Sequence, residues 1–140
     1  MIVVDASIAV KLYRDEAHSE AALSFFESHA GQITAPDLLM VEVAGVIVRE
    51  ANMRQDTDIE SRRKLANFAS LLNSSTVKIV RSDPSDIVKA ATIGIEIGHP
   101  IKDCIYLALA MKLDCELVTA DARFAAKARD VWGKVRELGG

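Results

Sequence analysis

Apolar and polar positions along the chain follow two periods, and each change of period marks an element. Ile2-Val3-Val4 is an unbroken apolar run closed by Asp5, the pattern of a short strand buried on both faces. From Ala6 the spacing turns helical, with Ile8, Ala9, Leu12 and Tyr13 at apolar positions, so strand, acid and helix follow with almost no loop. Ala22, Leu23, Phe25 and Phe26 predict a helix over residues 19–29, ended by Gly31. Ile33-Thr34-Ala35 predicts a short strand. Pro36 is expected to open a long helix through about Asn52, since proline is tolerated in a first helical turn. Thr57-Asp58-Ile59-Glu60 has the form of a capping box and starts a helix that runs to about Leu72. A strand over Val77–Val80, a helix opened by Asp83-Pro84 and ending near Gly98, and a helix opened by His99-Pro100 follow. Glu116–Thr119 is a strand, residues 122–129 a short helix and residues 135–138 a last strand. Strands alternating with helices predict an α/β fold: a three-layer α/β/α sandwich around a central parallel sheet, one domain over residues 1–140.

Composition narrows the class. Half the residues are hydrophobic and 26% charged, as in a folded globular domain. The apolar stretches at residues 38–48 and 104–111 are too short and interrupted to span a bilayer. No basic, leader-like segment precedes the first strand, so export is not expected. Cys104 and Cys115 form no metal or redox motif; Cys104 reads as a small buried hydrophobe and Cys115 as a turn residue, and two free thiols suit a reducing cytoplasm. A formal charge of −3 and a pI near 5.6 exclude broad, charge-driven binding of nucleic acid. Contact with phosphate must come from a local basic patch or a bound cation.

Four acids stand in apolar settings. Asp5 follows the first strand, where ligands bind in open parallel sheets. Asp121 repeats the arrangement after the strand that ends at Thr119, a hydroxyl two residues before it matching Ser7 two residues after Asp5. Either acid also reads as a helix N-cap, worth ~1 kcal/mol. Glu42 has Leu38, Leu39, Gly45 and Val46 as its helical neighbours, a face on which a charge is costly unless paired or bound to a metal. Such a face could also roll Glu42 to its edge, and Gly45 could admit a close backbone or ligand. Asp103, in the first turn of its helix, could simply complement the helix dipole. Taken jointly, the four imply more. Each close pair of carboxylates repels by about 4 kcal/mol at about 4 Å and an effective dielectric near 20. A fold keeps such a set when a hard cation neutralises it, and oxygen-only ligands suit Mg²⁺ or Mn²⁺ over Zn²⁺. The matching chemistry is attack of metal-activated water on a phosphodiester.

These stretches resemble a known family. Val3-Val4-Asp5-Ala6-Ser7, Pro36-Asp37-Leu38-Leu39-Met40-Val41-Glu42, residues 99–110 and Leu117-Val118-Thr119-Ala120-Asp121-Ala122-Arg123-Phe124 are similar, in order and spacing, to PIN-domain proteins and among these to the VapC-type toxins of toxin–antitoxin pairs. The resemblance covers nearly the whole chain. It implies a parallel α/β/α sandwich and Mg²⁺- or Mn²⁺-dependent endoribonuclease activity on an RNA substrate. It also implies a homodimer and a small antitoxin partner that blocks the site. The family's acidic quartet carries over to Asp5, Glu42, Asp103 and Asp121, and its supporting hydroxyls to Ser7 and Thr119. Cys104 departs from the small alanine that many relatives have there.

Other polar residues are assigned background roles. His18 and His29 are expected to be solvated, His99 to help start its helix with contact to a phosphate as the alternative, and Arg62-Arg63-Lys64 to form a solvated face steadied by Glu60. Lys102 and Arg123, beside proposed ligands, are candidates to rim the cleft and meet RNA phosphates. Trp132 reads as core or interface. Competing readings are weaker. An aspartyl-phosphate phosphatase would want a second Asp where Ser7 stands, a phosphorylatable receiver domain would want an acidic pair and a better-placed lysine than Lys134, and a non-catalytic partner-binding module would not be expected to keep all four acids.

Overall fold

The computed structural model describes residues 1–139. Among these, five parallel strands form one sheet in the order β3-β2-β1-β4-β5. The strands are β1 (Ile2–Val4), β2 (Ile33–Pro36), β3 (Val77–Val80), β4 (Glu116–Thr119) and β5 (Val135–Glu137). The helices are α1 (Ala6–Ala9, continued by a 3₁₀ turn over Val10–Leu12), α2 (Ser19–Ser28), α3 (Leu38–Asn52), α4 (Asp58–Leu72), α5 (Pro84–Ile97), α6 (Ile101–Lys112) and α7 (Ala122–Ala128).

From β1 the chain winds one way to β2 and β3, then returns across the sheet to β4 and β5. Right-handed crossovers therefore set α1–α4 on one face and α5–α7 on the other. The packing agrees: α6 lies on β1, β2 and β4, α7 on β4 and β5, while α1 packs on α3 and α3 on α4. Helices on both faces make the three layers. Val3, Val4, Leu117 and Val118 are wholly buried between them, which is why these strands read as continuous apolar runs and not as alternating ones. Tyr106, Leu107 and Phe124 seal one side of this core and Ile8, Leu39 and Ile47 the other.

The predicted caps are present. Thr57 and Glu60 close a reciprocal capping box, as do Asp83 and Asp86 with Pro84 at the next position, and Gly98 ends α5 in the left-handed region at φ 66°. Pro36 departs from expectation. It is the last residue of β2 opposite Val80, and α3 begins only at Leu38. Proline fits in this central strand because β1 pairs with β2 only as far as Thr34, so no ladder bond awaits its missing N–H, and the Asp37 N–H resumes pairing with the Val80 carbonyl at 2.9 Å. Among the described residues no helix is long and apolar enough to cross a membrane.

Candidate active site

β1 and β4 are neighbours although far apart in sequence, and the winding of the sheet reverses between them. This is the switch point at which open parallel sheets bind ligands, outside the carboxyl ends of the strands. Asp5 and Asp121 follow the ends of these two strands.

The backbone of Asp5 occupies the N-cap position of α1, yet its side chain makes no cap hydrogen bond of normal geometry, and the Ile8 N–H is only the weakest influence on its carboxyl. The carboxylate is 2% exposed and takes two hydroxyl protons instead: Ser7 Oγ donates to Oδ1 and Thr119 Oγ1 donates to Oδ2, each at 2.5 Å. The direction of both bonds follows from the backbone. Ser7 Oγ accepts the Ala120 N–H at 2.8 Å and Thr119 Oγ1 accepts the Asp121 N–H at 3.1 Å, which leaves each hydroxyl its single proton to give to Asp5. The two strand ends are thereby laced through one carboxylate. Burial raises the Asp5 carboxyl from its ordinary 3.8 to about 7, with the charge of Asp103 adding to the rise and the hydroxyls of Ser7 and Thr119 opposing it. With both oxygens engaged and almost no exposure, Asp5 is badly placed as the nucleophile of a phosphatase.

Tyr106, wholly buried on α6, holds one of the other acids. Its hydroxyl donates to Glu42 Oε1 at 2.7 Å, bridging α6 to α3. Burial, the bond to Glu42 and the charges of Glu42, Asp5 and Asp103 all hold this hydroxyl far above its ordinary range, so it stays protonated and remains a donor. Glu42 is thus half-buried and bonded, not rolled to the helix edge. Gly45 is exposed, and a Cβ there would meet open space, so no part of this chain approaches it closely and its face is left to solvent or a partner.

Asp103 is half-buried in the first turn of α6, and its Oδ2 lies 2.6 Å from His99 Nε2. Asp121 does cap its helix, accepting the Phe124 N–H at 3.0 Å. Among the described residues no three acid, histidine or cysteine side chains close around one point in the manner of a formed metal site, because each acid is turned to its own partner. No lysine or arginine lies within 4.0 Å of Asp5, Glu42 or Asp121 among these residues. Asp5, Glu42 and Asp103 share a region, since the charges of all three act on the Tyr106 hydroxyl, and no lysine or arginine counter-charge stands in it. A hard divalent cation fits that region: its ligands would all be carboxylate oxygens, and the buried Asp5 lacks a partner of opposite sign.

The PIN domain family matches residues 2–130 of this sequence. The chain belongs to the PIN-domain family. Among its curated relatives is the protein named Ribonuclease VapC3 of Pyrobaculum aerophilum, 30% identical over 129 residues that cover 90% of this chain and 93% of the relative. Among the solved structures that share the fold are two from bacteria. One is VapC20 of Mycobacterium tuberculosis, described as a sarcin-ricin-loop-cleaving toxin: TM-score 0.71, 17% identity, covering 90% of this chain and 94% of that one. The other is a toxin–antitoxin complex from Klebsiella pneumoniae: TM-score 0.64, 20% identity, covering 99% and 100%. The PIN fold and the homology to VapC ribonucleases read from the sequence are both borne out.

In this PIN domain several residues differ from their background assignments. His99 is a buried partner of an acid and not merely a helix starter. His29 is half-buried, stacked on Phe25 and within 2.9 Å of its carbonyl. Arg62 and Lys64 pair with Asp58 and Asp56, since Glu60 is engaged in the capping box. Cys115 is buried between α6 and β4, and Trp132 donates to its carbonyl at 3.0 Å. Cys104 is fully buried, its sulfur turned toward Gly94, which accounts for a residue larger than alanine there. Lys102 and Arg123 are exposed and free of ion pairs among the described residues. Tyr106 escaped the sequence reading because its apolar neighbours marked it as core. Its place one turn after Asp103 was the available signal.

Proposed function

We propose that this PIN domain is an Mg²⁺- or Mn²⁺-dependent endoribonuclease acting as the toxin of a toxin–antitoxin pair. The observation that carries the reading is Asp5: a buried carboxylate at the β1–β4 switch point, oriented by two hydroxyls and lacking any cationic partner. Asp5, Glu42, Asp103 and Asp121 are the proposed ligands and catalytic acids. The four acids come from four different elements, the ends of β1 and β4 and the helices α3 and α6. A bound cation would supply a lowered pKa for attacking water and neutralise charge on the phosphate. The chain's own residues do the rest. Ser7 and Thr119 fix both oxygens of Asp5, and Tyr106 holds Glu42. The exposed Lys102 and Arg123 stand beside Asp103 and Asp121, where they can meet the RNA backbone despite the net negative charge of the chain.

The partners follow from what α3 leaves uncovered. Met40, Val41, Val48 and Met53 are exposed around a shallow groove of about 660 Å³ that also includes Ala44 and Gly45. Such a face suits a second copy or an amphipathic antitoxin segment. The relative from Klebsiella pneumoniae is a toxin–antitoxin complex, which favours an antitoxin for this chain too. The free thiols Cys104 and Cys115 suit action in the cytoplasm. The test is cleavage of single-stranded RNA by purified protein with Mn²⁺ or Mg²⁺. Loss of cleavage in EDTA and recovery on adding metal are expected. Cleavage undiminished by exhaustive chelation would remove the metal mechanism.

A further inference from the structure

His99 is a buried polar side chain in contact with a proposed ligand, and the proposed mechanism does not use it. Its imidazole is 8% exposed, so it is no surface contact for RNA. Nε2 meets Asp103 Oδ2 at 2.6 Å, while Nδ1 is buried with no hydrogen-bond partner. A buried N–H without an acceptor costs more than a buried lone pair without a donor, and the partnered nitrogen sets the tautomer. The proton therefore sits on Nε2 and points at Asp103. The ring is also held in plane: it stacks on Phe124 with centroids 4.8 Å apart and 25° between planes. Phe124 is the residue whose N–H binds Asp121, so the same stack ties the segment just before α6 to the first turn of α7. The backbone is clamped as well. The His99 N–H donates to the Gly94 carbonyl at 3.0 Å, and Lys127 Nζ donates to the Gly98 carbonyl at 2.7 Å.

We propose that His99 is a positioning residue, whose Nε2–H, steadied by the stack on Phe124, fixes the carboxylate of Asp103 for a divalent cation. This inference rests on the metal-ribonuclease reading. Hydrogen-bonded partners of ligands typically set metal affinity by about 10–100-fold. A half-exposed carboxylate without its partner would have to be ordered by the ion itself.

The experiment titrates Mn²⁺ calorimetrically into metal-stripped wild type and three variants, with thermal melts as a fold control and RNA cleavage in parallel. His99→Phe keeps a flat ring for the stack and removes the donor. His99→Gln and His99→Met are matched in length, with and without a donor amide. The expected result is Mn²⁺ affinity weakened about tenfold in His99→Phe and His99→Met, largely recovered in His99→Gln, with the Mn²⁺ requirement for cleavage rising by the same factor. If His99→Phe fails to fold, the Gln–Met contrast decides alone. Equal Mn²⁺ affinity in the Gln and Met variants overturns the proposal and leaves the metal reading standing. Wild type that binds no Mn²⁺ overturns both, and that arm alone reveals it.

Discussion

Replacing Asp5 by Asn should stabilise the metal-free protein while abolishing cleavage. Burial raises the carboxyl from 3.8 to about 7. At about 1.4 kcal/mol per tenfold, this amounts to about 4 kcal/mol of unfavourable folding free energy once the pH exceeds 7. The sign follows from proton uptake. A raised folded value means the folded state binds the proton that the unfolded state has released, so stability falls as pH rises from about 4 to about 7. Asn cannot ionise and escapes this loss. Its amide can also be accommodated. Asn Nδ2 would donate to Thr119 Oγ1, the Thr119 hydroxyl would turn to Ser7 Oγ, now 3.2 Å away, and Ser7 would keep donating to the side-chain oxygen. One amide N–H remains unpaired, at a cost of about 1–2 kcal/mol. The net gain at pH 8 is about 2–3 kcal/mol, or about 6–10 °C in Tm for a chain of this size. At pH 5 the wild-type carboxyl is protonated in the fold, about 3 kcal/mol of the difference disappears, and the variant loses its advantage. The assay is a set of thermal melts in EDTA at pH 5 and pH 8, repeated with excess Mn²⁺. Metal that binds only the folded site should raise the wild-type Tm and move the variant far less. An Asn variant less stable than wild type at pH 8, with a difference that does not change with pH, would refute the buried-charge argument.

Two other outcomes follow from the geometry. Thr119→Val should destabilise the fold by about 2–4 kcal/mol in denaturant melts, since it strips both a buried oxygen of Asp5 and the Asp121 N–H of their partner, and an unchanged midpoint would show that the hydroxyl lacing is idle. Light scattering of the wild type should give twice the 15.2 kDa chain mass, and Val41→Arg, at a position 70% exposed on α3, should return it to a monomer whose Tm no longer depends on protein concentration; a monomeric wild type at high micromolar concentration would contradict the dimer.

Local chemistry settled much of this protein in advance. Thr57 and Glu60, or Asp83, Pro84 and Asp86, start helices through bonds within one turn, so residue type and spacing were sufficient. Continuous apolar strands alternating with helices required a parallel sheet covered on both faces, and acids directly after two such strands named the region of the site. Pairing across the fold was not legible in that way. Pro36 reads as a helix opener by its own preferences, and it is a strand residue because the Asp37 N–H reaches the carbonyl of Val80. Asp5 and Asp121 present the same local pattern, an acid between strand and helix. Only the tertiary structure made the second a cap and denied that role to the first, by bringing Thr119 and Ser7 to both oxygens of Asp5. Tyr106 and His99 carried no sequence signal beyond proximity to Asp103. Whether a tyrosine hydroxyl finds Glu42, or an imidazole is buried against Phe124, depends on contacts between residues far apart along the chain or on separate helices. Hydrophobic period and capping act over a few residues and can be read from the chain alone. The partners of a buried polar group are chosen by what the packed core places within hydrogen-bond reach, and that is a property of the whole fold.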